Sequence, residues 1–227
     1  MGMPIVVAVR GGNVPDEVFD WFRHVDETFS TFKEESEVSR IRRGEIVLED
    51  ASTEVRQVFA RCEELREETH GFFDVEALGL DPSGFVKGWS VDEAAAILDR
   101  AGIEEYAINA GGDIRTSGHW TIGIQHPLDA QAIAKVVEGD DLALATSGAY
   151  ERGDHVRDPH TGSAPQGILS VTVTGPDLGT ADAFATAAFA MGARRAPGWT
   201  ARLRGYEAMT ILADGRVLST PGFPAAA

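Results

Sequence analysis

Strand patterns crowd the second half of this chain, with short connections between them and no strict alternation with helices. That segregation limits the possible folds more than any other feature, because successive parallel strands need a long, usually helical crossover between them. It points to an α+β fold, a mostly antiparallel sheet packed with helices, rather than a doubly wound one. The strand segments are YAIN, HWTIGIQ with Trp120, Ile122 and Ile124 alternating, AIAKVVEG, DLALAT and ILSVTVTG. EAMTILADGRVLS has the pattern of a hairpin turning at Asp214-Gly215. One helical segment interrupts the strands: TADAFATAAFAMGA, rich in Ala and therefore suited to close packing.

The first half is mostly helical. A strand over residues 4 to 9 leads to a Gly11-Gly12-Asn13 turn, and Pro15 then opens a helix. Its apolar positions Val18, Phe19, Phe22, Val25 and Phe29 recur at three- and four-residue steps. The segment FSTFKEESEVSRIRRGE is polar and reads as a loop. Ser52 is placed to cap a second helix that carries Val55, Phe59, Cys62 and Leu65 and stops at Gly71. A third helix is expected over residues 87 to 100. No linker, internal repeat or composition break divides the 227 residues, so the expectation is a single domain, 1–227.

Charge removes several function classes. Lys and Arg number 20 against 36 Asp and Glu, a net charge of −16. Such a surface repels a phosphate backbone and anionic lipid, so neither nucleic acid nor membrane insertion is expected. A phosphorylated ligand would need a metal ion or backbone N–H groups to supply local positive potential. The single cysteine, Cys62, rules out an intrachain disulfide and a Cys-based metal cluster, and its stripe makes it core filler. No apolar run approaches the roughly 20 residues that span a bilayer. The opening MGMPIVVAVR lacks a basic region before its short apolar run, so the expected location is the cytoplasm. The dinucleotide fingerprint, the Walker loop and the G-x-S-x-G elbow are absent from the sequence.

Four segments could carry chemistry. Asn109-Ala110-Gly111-Gly112-Asp113 exposes backbone N–H groups at paired glycines, and serves equally as a tight turn between strands. In Thr180-Ala181-Asp182-Ala183-Phe184-Ala185-Thr186, Asp182 and Thr186 are four apart and share a helix face. Both offer hard oxygens of the kind Mg²⁺ prefers, although Asp182 could merely complement the helix dipole. The stretch DPSGFVKG reads as an irregular turn whose carbonyls no helix claims, with Lys87 facing either a phosphate or water. The fourth segment runs through Ser147 to His155-Val156-Arg157-Asp158-Pro159-His160-Thr161-Gly162. His155 could take a proton near neutral pH, and Asp158 could orient it or form a turn with Pro159. A Ser147/His155/Asp158 triad is discounted for want of a nucleophile elbow.

Taken in order, these segments resemble the ApbE family of FAD:protein FMN transferases. Met1-Gly2-Met3 is similar to the family's AMGT start, TFSTFKEESEVSRI to its polar loop, and Gly71-Phe72-Phe73-Asp74 to G-x-F-D. DPSGFVKG resembles DLGGIAKG, NAGGDI resembles N-x-GGD-I, HVRDPHTG resembles HIIDPRTG, and ADAFATAAFAMG resembles ADALATALFVMG. Seven motifs in one order span almost the whole chain. The departures are a shortened segment between Asp74 and Asp81, Val86 where a small residue is usual, and Arg157 and His160 around the histidine.

The resemblance implies an ApbE-like, T-fold-related architecture. It implies FAD as substrate, Mg²⁺ as cofactor, and transfer of FMN to a threonine hydroxyl of a target flavoprotein, with release of AMP. Asp182, Thr186 and the Val86 carbonyl would ligate the metal, and His155 would be the catalytic base. Met3, Phe32, Asp74, Gly111, Gly112, Asp113, Ser147 and His155 would line the flavin dinucleotide. Two alternatives follow from the same site: an FAD pyrophosphatase yielding FMN and AMP, or an FAD-binding protein without turnover. The oligomeric state is left open by the sequence.

Overall fold

The computed structural model describes residues 2–77, 79–148 and 156–225. Strand β1 (Ile5–Val9) opens the chain, followed by α1 (Asp16–Phe29), α2 (Glu37–Arg42), α3 (Thr53–Glu68) and α4 (Ser83–Arg100). Then come β2 (Tyr106–Ala110), β3 (Asp113–Ser117), β4 (His119–His126), β5 (Asp129–Asp140), β6 (Ala143–Gly148) and β7 (Ile168–Thr174). Helix α5 (Leu178–Thr200) precedes the closing hairpin of β8 (Glu207–Leu212) and β9 (Val217–Ser219).

Seven strands form one sheet in the order β1-β2-β3-β6-β7-β8-β9, and β4 with β5 form a separate two-stranded ribbon. Each pairing among the described residues is antiparallel, which bears out the expected α+β class. The helices cover one face through a large core that includes Val25, Leu65, Leu98, Val171 and Phe184. On the other face, Ile122, Ile124 and Val137 of the ribbon pack with Leu144, Met209 and Ile211. Strand β6 is covered on both sides, so all of its residues are buried. Successive residues on it therefore serve different layers. No helix among the described residues is long and apolar enough to cross a membrane.

Three local expectations change. The polar segment before α3 holds a helix, α2, whose start is fixed by Ser36. Its hydroxyl accepts from the Ser39 N–H at 3.0 Å and donates to the Ser30 carbonyl at 2.6 Å. A two-turn helix is too short to display a clear apolar stripe. Helix α4 starts at Ser83 rather than at residue 87. The Asp81 carboxylate accepts from Ser83 N–H, and the Pro82 carbonyl accepts from Phe85 and Val86 N–H at 3.0 and 2.9 Å. The stretch DPSGFVKG is thus largely helical. Helix α5 begins earlier than Thr180, capped by Asp177, and is kinked at Gly192, which adopts φ 68°. Of the α1 stripe, Val18, Phe22, Val25 and Phe29 are buried, while Phe19 sits at its edge with 38% exposure.

Candidate active site

The site forms where α4 and α5 approach most closely. A Cβ on Gly88 would lie 2.3 Å from the Leu178 carbonyl oxygen, and a Cβ on Gly179 only 3.1 Å from Trp89 N. Two glycines facing one another let the helix backbones touch, which no side chain would permit. The Gly88 N–H consequently donates to Asp182 Oδ2 at 3.3 Å. Asp182 and Thr186 lie one turn apart on α5, and Thr186 Oγ1 is 3.2 Å from the Ser147 hydroxyl on β6. A Cβ on Gly84 would come within 3.2 Å of Thr186 Oγ1, so the bare backbone there keeps that oxygen uncrowded.

Beneath these oxygens is a buried ion cluster. Lys87 Nζ lies 2.9 Å from Asp113 Oδ2 and 3.6 Å from Asp182 Oδ1. The closer contact is a buried ion pair. Asp113 is fully buried and Asp182 is 1% exposed. The other Asp113 oxygen accepts from Thr146 N–H at 3.2 Å. Burial pushes the Asp113 carboxyl above the ordinary range, and the Lys87 ammonium pulls against it. Two carboxyl groups flank one ammonium. Hydroxyls, a carboxylate and backbone carbonyls make a hard-oxygen donor set, which suits Mg²⁺. No cluster of three or more His, Cys, Asp or Glu suited to a metal exists among the described residues, so a cation here would depend on hydroxyl and carbonyl oxygens as well.

The Val86 carbonyl lies not in the expected irregular turn but inside the first turns of α4, where the helix ladder uses it. A carbonyl has a second lone pair, so ligation from a helix remains chemically open. Lys87 is the group that sequence reasoning undervalued. Its side chain is 12% exposed, far from a surface lysine, and only its neighbours in space reveal why. Gly88 was likewise not singled out, although it is the residue that sets the distance between the helices.

Gly111 and Gly112 are the two-residue turn between β2 and β3, with φ 57° and 96°. Both readings of the pair hold together: Asn109 Oδ1 accepts from Gly112 N–H at 3.0 Å to fix the turn, and the turn also lines a cleft. That cleft, about 510 Å³, lies between the sheet and the β4–β5 ribbon, with Met3, Ile122, Gln125, Thr146 and Thr172 among its walls. Met3 packs directly on Gly111, since a Cβ there would be 2.7 Å from its sulfur. Asp113 follows the turn immediately but points to the helix side, toward Lys87. The glycine turn therefore joins the cleft to the ion cluster across the sheet.

Phe32 and Asp74 have different surroundings. Phe32 is 90% exposed, and Asp74 Oδ1 accepts from Glu76 and Ala77 N–H, capping its own turn. His155 lies outside the described residues. The segment after it is a turn held by Asp158, whose side chain accepts from His160 N–H at 2.9 Å. This favours the turn-forming reading of Asp158. His160 is itself anchored, with Nε2 3.1 Å from the His70 carbonyl and its ring edge-on to Phe72.

The chain is similar to known proteins. The ApbE family model matches residues 1–78 and 76–210. An FAD:protein FMN transferase of Vibrio cholerae is 34% identical over 170 residues, covering 67% of this chain and 51% of the relative. One from Rhodobacter capsulatus is 32% identical over 158 residues, 64% of this chain and 30% of the relative. The chain thus spans about half the length, or less, of these curated relatives. Among solved structures, a flavin transferase ApbE from Vibrio cholerae superimposes with a TM-score of 0.85 at 24% identity, over 98% of this chain and 95% of that one. The ApbE protein of Thermotoga maritima gives 0.84 at 23% identity, over 96% and 93%. At these identities the structural likeness establishes the fold.

Proposed function

The chain belongs to the ApbE family, and we propose that it is an enzyme that transfers FMN from FAD to a threonine hydroxyl of a target flavoprotein, with Mg²⁺ as cofactor and AMP as the released product. The observation that carries this reading is the meeting of Asp182, Thr186 and Ser147 oxygens beside a glycine turn that borders a cleft. An anionic dinucleotide entering a chain of net charge −16 needs such a place.

In this reading Asp182 and Thr186, with the Val86 carbonyl, hold the cation. A bound Mg²⁺ would neutralise charge on the pyrophosphate and on the departing AMP. The backbone of Gly111 and Gly112 lets the dinucleotide lie close to the chain, and Met3 walls the same end of the cleft. Asp113 and Lys87 act from beneath. The Lys87 ammonium, 2.9 Å from Asp113 Oδ2 and 3.6 Å from Asp182 Oδ1, orients the two carboxyls, so an Asp182 oxygen is presented at the site. His155 is assigned the general base. It takes the proton as the threonine oxygen bonds to the FMN phosphorus and the bond from that phosphorus to the AMP oxygen breaks. Such a base contributes about 10²–10⁴-fold. Phe32 and Asp74 are retained as candidate contacts to the rings and sugars of FAD.

Incubation with FAD, Mg²⁺ and a threonine-containing acceptor peptide, read by mass spectrometry, tests the proposal. The expected products are AMP and a peptide heavier by one FMN. AMP with free FMN and an unmodified peptide would make the protein a pyrophosphatase instead, and intact FAD would make it a binding protein.

A further inference from the structure

One stretch of this acidic chain gathers arginines at the surface. From residue 178 to residue 206 the sole acidic residue is the buried Asp182, while Arg194, Arg195, Arg202 and Arg204 all reach the surface. Several arginines elsewhere are held by carboxylates: Arg10 by Glu105, Arg43 by Glu45, Arg66 by Glu63 and Arg216 by Asp214. Arg194, Arg202 and Arg204 have no ion pair among the described residues. Arg202 and Arg204 flank a cleft of about 560 Å³ that also includes His70, Trp199, Tyr206 and Arg61, the last held by Glu64 and by Glu68, which lines the same cleft. Arg194 and Arg195 border a second cleft, about 390 Å³, whose opposite wall is Asp158, Thr161 and Ser163.

The segment that follows His155 runs between these clefts. His160 contacts the His70 carbonyl at 3.1 Å, on the side of the first cleft. Its ring meets Phe72 at 4.6 Å, and the Arg195 guanidinium lies 5.4 Å from the same Phe72 ring. The unpaired guanidinium groups thus border the chain segment that leads to the assigned base.

We propose that this arginine face docks an acidic segment of the acceptor protein and so selects acceptors by charge. The proposal rests on the transferase reading and adds to it the chemistry of the partner surface. A chain with net charge −16 repels an acidic partner as a whole, so these arginines offer local attraction beside the segment that leads to the assigned base. Neither Arg202 nor Arg204 lines the cleft assigned to FAD or touches Asp182 or Thr186, so changes at these two are expected to leave FAD handling alone.

The test uses two fluorescein-labelled peptides with the same central threonine, flanked by aspartates in one and by asparagines in the other. Binding is followed by anisotropy at low and high NaCl, with wild type, the double variant Arg202→Glu/Arg204→Glu, and Arg216→Glu as a remote control. The aspartate peptide is expected to bind wild type more tightly than the asparagine peptide and to lose that advantage in high salt. It should weaken about tenfold or more in the double variant and not in the control. Acceptor-free release of AMP from FAD should be equal in wild type and the double variant. Equal affinity for both peptides, no binding of either, or an equal loss in Arg216→Glu would overturn the docking proposal. Failure of wild type to release AMP or to modify any threonine is a separate result, and it would overturn the transferase reading.

Discussion

The contact between Gly88 and Gly179 allows a prediction with opposite signs at two glycines. In Gly88→Ala the new methyl would sit 2.3 Å from the Leu178 oxygen and 2.6 Å from its carbonyl carbon. Both are backbone atoms at the start of α5, so no side chain can swing aside. Restoring van der Waals separation requires the helices to part by about 1 Å. Overpacking of this kind costs about 1–3 kcal/mol, and a rigid neighbour places it at the upper end. For a domain of this size that lowers the melting temperature by about 6–12 °C. The same displacement moves Val86 and Lys87 away from Asp182, and a misplacement of about 1 Å can cost about 10²-fold in turnover. Gly198 is the internal control, because nothing lies within 4 Å of a Cβ there and it sits inside α5. Gly198→Ala should gain about 0.5–1 kcal/mol from helix propensity and melt higher. Thermal melts and Mg²⁺-dependent AMP release on the three proteins decide the matter. If Gly88→Ala melted with wild type and kept its turnover, the close approach of the helices would not be what builds the site.

Three further outcomes follow from the geometry. Thr186→Val keeps the shape but removes the hydroxyl beside Ser147, so Mg²⁺-dependent AMP release should fall at least tenfold while the melting temperature moves little; unchanged release would remove Thr186 from the metal site. Asp92 accepts from Leu178 and Gly179 N–H, yet burial dominates and raises its pKa from 3.8 to about 6. The native state therefore holds that proton more tightly than the unfolded chain. Its contribution, on the order of 3 kcal/mol, is complete below about pH 4 and is lost as pH rises through 6. The melting temperature of wild type relative to Asp92→Asn should accordingly fall between pH 4 and 7, and a constant difference would contradict the shift. Burial pushes the Cys62 thiol up to about 12, so native protein should react with a thiol reagent at pH 8 only on unfolding, and rapid labelling would refute its burial.

The sequence made some parts of this molecule legible and hid others. Patterns that repeat within one element were readable: the α1 and α3 stripes, the Ser52 cap, and the Asp214-Gly215 hairpin all lie where periodicity and turn chemistry put them. The start of α4 was hidden because Asp81 and Pro82 make a local cap that reads as a turn, and the start of α5 because it is set partly across the fold. Asp92 on α4 caps Leu178 and Gly179 on α5, a partnership 86 residues apart in sequence. Helix α2 was hidden because its start depends on a serine bonding back to Ser30 rather than on an apolar stripe. Asp182 and Thr186 could be paired from spacing alone, but Ser147, Gly88 and Lys87 join them only through contacts between distant elements. The separate β4–β5 ribbon, which supplies one wall of the cleft, also left no local signal, since its alternation is that of any strand pair.

The central claim is that oxygens of Asp182 and Thr186 hold a divalent cation and thereby admit an anionic nucleotide to an acidic protein. Mn²⁺ serves as a stand-in with a direct readout, the loss of the free-ion electron paramagnetic resonance signal on binding. Titrations with FAD present should show one site per chain in wild type and none in Asp182→Asn, while the two proteins keep matching circular dichroism spectra. Equal Mn²⁺ uptake by the two proteins would contradict the account.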